Sequence, residues 1–137
     1  MAEIPEGFEP FTRGSPFLDL VGPVYRRVVG GSLEFGFLAE EKHCNSRGLV
    51  HGGLLSTVAD IALGYGSGHA ADSPTNLIST SITMVFAGCA RIGEWVVFRT
   101  VVREVGRRAA FANCCGSGGG SRLGRASGVC AVLDGCS

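Results

Sequence analysis

Charge is scarce in this chain. Aspartate, glutamate, lysine and arginine make up 18% of its 137 residues, and twelve acidic side chains balance twelve basic ones. That balance excludes a general electrostatic pull toward nucleic acid or an anionic membrane, so a partner has to be recognised at a local site. Long apolar runs are missing as well. Although 45% of the residues are hydrophobic, no window of about 18 residues runs without glycine, aspartate or another polar break, and nothing is expected to span a bilayer. The first residues, MAEIPEGFEPFTRG, carry glutamates where a secretory leader would be basic and lack a continuous apolar stretch, which predicts a cytoplasmic protein.

The six cysteines include no CxxC pair. Most lie in apolar or strand-like segments, where a reduced cysteine acts as a small hydrophobe, so a disulfide framework is not expected. A zinc site from His43, Cys44 and the Cys114/Cys115 pair is disfavoured, because adjacent residues on a strand point to opposite faces. No metal or cofactor is expected. The stretch GSGGGSRLG, residues 116–124, lacks the lysine and the following helix of a phosphate loop and reads as a flexible hairpin connection.

What is present is a patterned single domain. Residues 1–22 mix proline, glycine, phenylalanine and acidic residues and read as a covering arm, with a short helix in SPFLDLVG capped by Ser15 and opened by Pro16. VYRRVVG and LEFGFLAE follow as strands. In the second, Leu33, Phe35 and Phe37 alternate with Glu34 and Gly36, and the Gly30–Gly31 pair between the strands suits a tight hairpin. From Gly53 the period becomes helical, with Leu54, Leu55, Val58, Ile61, Ala62 and Tyr65 on one stripe. SGHAADSPTN reads as a loop. Four β-type segments complete the chain: LISTSITMVF, EWVVFRTVVREV, RAAFANCCG and GRASGVCAVL. Two strands, one helix and four strands without crossover helices predict an α+β fold, a curved antiparallel sheet wrapped around one long central helix.

Asp60 interrupts that helix on a face shared with Gly53, Ser56, Thr57 and Gly64, away from the apolar stripe. At the helix start, no Ser, Thr, Asp or Asn precedes Gly52 and Gly53 as a cap. Their amides carry the positive end of the helix dipole and could serve a carbonyl oxygen that gains charge during attack on an ester or thioester, with Gly52 as principal donor. A tight turn or close packing explains the glycines equally well. Eight residues separate Gly52 from Asp60, roughly 12 Å along a helix axis, whereas a base and an oxyanion donor serving one carbonyl must both lie within ~3 Å of the reacting atoms. If both are catalytic, two antiparallel helices related by a two-fold axis must bring one subunit's Asp60 to the other's Gly52.

The pattern Asn45-x-x-Gly48-x-x-His51-Gly52-Gly53, with Asp60 eight residues after Gly52, resembles the hotdog-fold acyl-CoA thioesterases of the PaaI-like, phenylacetate-degradation group. The resemblance covers roughly residues 24–133 and implies a hotdog thioesterase domain over residues 23–137 behind the arm. It implies that Gly52 N–H and the Asn45 side chain hold the thioester carbonyl of an acyl- or aryl-CoA. The partner's Asp60 would then act as base or nucleophile, Ser79 would orient the attacking water, and His51 would support the leaving-group side. Gly53, Leu54, Thr57 and Thr80 are the expected substrate contacts. The same resemblance implies a two-fold dimer, often paired into tetramers. A hotdog hydratase or dehydratase using His51 remains open, as does a non-catalytic acyl-CoA or acyl-carrier binding protein. Arg91, Arg103, Arg107, Arg108 and Arg125 are each either CoA-phosphate partners or solvated surface.

Overall fold

Strand segments joined by short turns pair antiparallel, and parallel pairing would need crossover helices that the sequence lacks. The computed structural model, which describes residues 3–71 and 76–132, holds one such sheet. In chain order the elements are β1 (Glu9–Phe11), α1 (Pro16–Val21), β2 (Val24–Val29), β3 (Ser32–Leu38), a 3-10 turn at Glu41–His43, α2 (Gly52–Ala70), β4 (Leu77–Phe86), β5 (Trp95–Val105), β6 (Ala109–Gly118) and β7 (Ser121–Val132). The strands lie in the order β1-β2-β3-β5-β6-β7-β4, every neighbouring pair antiparallel. The sheet curls so far that α2 packs against β3, β4, β5, β6 and β7 alike. Residues 72–75 of the expected loop, and residues 133–137 with Cys136, lie outside the described residues.

The core is the inner face of this sheet closed over α2. Leu33, Phe35 and Phe37 of β3, Val96 and Phe98 of β5, Cys114 of β6 and Leu123 of β7 meet Leu55, Val58, Ala59, Ala62 and Leu63 of the helix. Cys114 is buried and Cys115 exposed, the alternation that separates adjacent side chains on a strand. Burial pushes the Cys114 thiol up to about 12.

The helix differs from its expected outline in two respects. Its buried side is Leu55, Val58, Ala59, Ala62, Leu63, Gly66 and Ser67, while Leu54 and Ile61 sit at the border and Tyr65 is exposed. Small residues carry the contact because they let strand backbones come close. A Cβ on Gly66 would lie 2.7 Å from Thr100 Cγ2, and Thr100 Oγ1 donates to Ala62 O at 2.8 Å. Residues 67–70, expected as loop, continue the helix, since tertiary burial of Ser67 overrides a loop-like composition.

The glycine run also resolves differently. Gly116 and Gly118 lie inside β6, and β7 begins at Ser121, so only Gly119 (φ 56°) and Gly120 (φ 81°) turn the chain. Positive φ at both central positions makes a two-residue turn whose twist matches the flanking strands, the same solution that Gly30 and Gly31 use between β2 and β3.

Ser15 caps α1, its Oγ accepting from Leu18 N, and Pro16 opens the helix. Residues 9–11 of the arm join the sheet beside β2. Arg27 holds the arm down: Nε and Nη2 donate to Glu34 Oε1 at 3.0 and 2.7 Å, Nη1 donates to Glu6 O at 2.9 Å, and the guanidinium lies 4.3 Å from the Phe8 ring centre. Among the described residues no helix is long and apolar enough to cross a membrane.

Candidate active site

An α-helix starts with amide hydrogens that have no partner inside it. In α2 all but one are accounted for. Leu54 N and Leu55 N donate to His51 O, and Gly53 N donates to His51 Nδ1 at 2.9 Å. The expectation of an uncapped start is therefore corrected: His51 is the N-cap, through a ring nitrogen instead of a hydroxyl or carboxylate. An accepting Nδ1 places the proton of the neutral ring on Nε2. Gly53 loses its amide to this cap, and Gly52 N–H alone is left without a protein partner among the described residues.

Two neighbours shape the space around that amide. A Cβ on Gly52 would meet the Phe86 ring at 3.1 Å, so the absence of a side chain lets the end of β4 pack over the helix start. Asn45 closes the preceding loop. Its Oδ1 accepts from Arg47 N at 2.8 Å and from Leu49 N at 3.3 Å, the local capping common for loop asparagines. The acceptor is thereby used up and the exposed side chain keeps its two Nδ2 hydrogens for donation.

Asp60 stands two turns further along α2, exposed. Ser79 Oγ donates to its Oδ1, so the structure brings these two sequence candidates together. A bulge makes this possible. Ser79 pairs with Cys130 and Ser81 with Val129, leaving Thr80 as the extra residue, with its Oγ1 donating to Val129 O at 3.0 Å. Ser79 thereby faces the helix. Its hydroxyl also lies 4.0 Å from the Sγ of Cys130, a buried residue that sequence reading did not single out. Cross-strand register decides that neighbourhood, and no local pattern around residue 130 carries it. Burial pushes the Cys130 thiol up, the hydrogen bond with Ser79 pulls it down, and the negative charge of Asp60 raises it.

The other candidates are satisfied locally. Thr57 Oγ1 donates to Gly53 O at 2.9 Å, Thr80 serves the bulge, and Leu54 is half-buried beside the core. The five candidate arginines are all exposed, and Arg103 Nε donates to Asn113 Oδ1. Gly52 and Asp60 remain about 12 Å apart along their common helix. Two open cavities lie elsewhere, one of 560 Å³ between Trp95 and the β6–β7 turn, the other of 270 Å³ on the outer face around Arg103 and Phe111; neither includes Gly52, Asp60 or Ser79. Among the described residues no group of three or more His, Cys, Asp or Glu could hold a metal ion.

The side of the molecule that carries these groups is bare. Among the described residues β4 pairs only with β7, and along it Ile78, Ile82, Val85 and Phe86 are 39 to 54% exposed. An unpaired, apolar strand edge is a template for another chain.

Known proteins share both the sequence and the architecture. Residues 47–125 match the family model described as the thioesterase superfamily. "Putative esterase PA0474" of Pseudomonas aeruginosa is 41% identical over 130 residues, covering 94% of this chain and 97% of that protein. Among solved structures, zebrafish thioesterase superfamily member 2 superposes with a TM-score of 0.78 at 22% identity, covering 87% of this chain and 88% of that one. The Escherichia coli PaaI protein from the phenylacetic acid degradation operon gives 0.79 at 15% identity, covering 90% and 88%. A point mutant of the phenylacetic acid degradation protein PaaI from Thermus thermophilus gives 0.75 at 22% identity, covering 87% and 100%. The curved sheet around α2 is the hotdog fold of these PaaI-type structures, and the chain belongs to the thioesterase superfamily.

Proposed function

We propose that the protein hydrolyses acyl- or aryl-CoA thioesters in a centre assembled from two copies of the chain. The observation that carries this is the division of labour along α2. One end offers a single unpartnered amide at Gly52, and the middle offers a carboxylate at Asp60 hydrogen-bonded by Ser79. The two lie too far apart on one helix to meet, beside a strand edge that has no second partner among the described residues. Antiparallel pairing of β4 with a second β4 would continue the sheet across a two-fold axis and set the two α2 helices side by side in opposite directions. Each Gly52 then faces the partner's Asp60.

In that arrangement the thioester oxygen accepts from Gly52 N–H and from Asn45 Nδ2. Preorganised donors of this kind contribute several kcal/mol once charge builds on the oxygen. The partner's Asp60, oriented by the partner's Ser79, takes a proton from water as the new C–O bond forms, or attacks the carbonyl carbon itself. The C–S bond breaks and the CoA thiolate departs and is protonated; on the direct-attack branch water then cleaves the acyl–Asp60 anhydride, releasing the acid and restoring the carboxylate. His51 holds the first turn of α2 so that Gly52 N–H keeps its direction.

Asp60→Asn is expected to lower kcat/KM toward acyl-CoAs by at least about a hundredfold, the usual worth of a positioned base. A complementation experiment tests the two-chain centre directly. Gly52→Pro, which removes the amide hydrogen at a first helical position that accepts proline, and Asp60→Asn, each expected to be inactive alone, are unfolded together, refolded and assayed as a mixture. Random pairing puts half the chains in mixed dimers with one intact centre each, so about a quarter of wild-type activity returns. No recovery, or full activity in Asp60→Asn, refutes the assignment.

A further inference from the structure

Ser79 and Cys130 are cross-strand partners on the inner face of β4 and β7, and their side-chain heteroatoms lie 4.0 Å apart. Distance alone leaves the donor open, but the chemistry of the hydroxyl decides it. Ser79 has one hydroxyl proton, and that proton is donated to Asp60 Oδ1. Only lone pairs remain on Ser79 Oγ for any second contact. The hydrogen between the two residues therefore belongs to the thiol. Cys130 is 2% exposed, and burial, outweighing the opposing pull of Ser79, holds the thiol above its ordinary value, which favours the protonated form that a donor needs.

We propose that Cys130 is a positioning residue: its S–H, donated to Ser79 Oγ, selects the side-chain rotamer in which Ser79 delivers its own proton to Asp60. This rests on the role given to Asp60 and Ser79 above. The backbone of the bulge sets where Ser79 begins, because Thr80 ties the strand to Val129 O. It does not by itself set χ1, which turns independently of the backbone hydrogen bonds. The thiol supplies that missing restraint from the buried side. Three groups then act in line, each donating to the next: thiol to hydroxyl, hydroxyl to carboxylate. Such chains polarise in one direction, and loss of the first donor weakens the second bond. A thiol is a weak donor, so the effect is modest beside that of Asp60 itself.

A double-mutant cycle separates this from simple packing. Cys130→Ala is expected to lower kcat toward acyl-CoA by about three- to tenfold with KM unchanged. In a Ser79→Ala background, Cys130→Ala is expected to change kcat by less than about twofold, since the residue it acts through is gone. The proposal is overturned if Cys130→Ala leaves kcat untouched, or if its loss persists in full without Ser79. Asp60→Asn, run alongside, distinguishes the levels. Its collapse with a normal Cys130→Ala refutes only the thiol's part, whereas its full activity refutes the carboxylate's role and the thiol's with it.

Discussion

Two cysteines next to each other in the chain live in opposite surroundings. Cys115 faces solvent on the outer side of β6, while Cys114 is buried under α2 and its thiol is pushed up to about 12. Native protein treated with N-ethylmaleimide near neutral pH is expected to be alkylated at Cys89 and Cys115 and spared at Cys114 and Cys130, as peptide mass spectrometry would show. The Cys114 shift also sets a pH dependence. Below the ordinary thiol value of 9.0 both folded and unfolded chains hold the proton, and that contribution to stability is intact. Between 9.0 and about 12 the unfolded chain gives its proton up while the folded chain keeps it, so stability falls as pH rises. Denaturation midpoints measured over that interval are expected to decline more steeply for wild type than for Cys114→Ala. At this scale the sequence was partly readable. Opposite facing of Cys114 and Cys115 follows from strand alternation, and Gly52 and Asp60 stand out as misfits in an apolar helix. His51 reads from the sequence as a hydrogen-bonded residue at the loop-to-helix junction, but not as the cap itself, because the residue types that usually cap carry a short side-chain oxygen, and here an imidazole nitrogen does the same work.

At the scale of elements, the strand segments and the helix were legible because each carries its own period. The expected β4 segment, LISTSITMVF, coincides with residues 77–86 of the structure. Ends were less so. α2 runs on to Ala70 because Gly66 packs against Thr100 of β5 and Ser67 is buried, and β7 starts three residues early because two glycines suffice for its turn. Neither is a local property. The arm is likewise held by distant groups: Arg27 on β2 bonds Glu34 and the Glu6 carbonyl and covers Phe8. Phe11 of β1 packs edge-on against Phe35 and Tyr65. Cutting the polar half of this anchorage with Arg27→Ala is expected to raise amide hydrogen exchange in residues 9–11 while leaving β5 and β6 protected, since β1 sits at the sheet margin and the others at its centre.

For the molecule as a whole, an antiparallel sheet around a single helix followed from element order, but the order of strands within the sheet did not. Nothing near residues 77–86 announces that this strand ends up beside β7 at the rim, since that outcome depends on how far the sheet curls around α2. The placement of β4 leaves a ladder of backbone groups and four apolar side chains facing outward on the side that holds Asp60 and Gly52. Turnover should then obey mass action in the protein itself. Specific activity per chain is expected to drop as the enzyme is diluted below its self-association constant, and to return when a large excess of Asp60→Asn chains, themselves expected to be inactive, is added to trace wild type. Each rescued wild-type molecule lends its carboxylate to an amide it does not own.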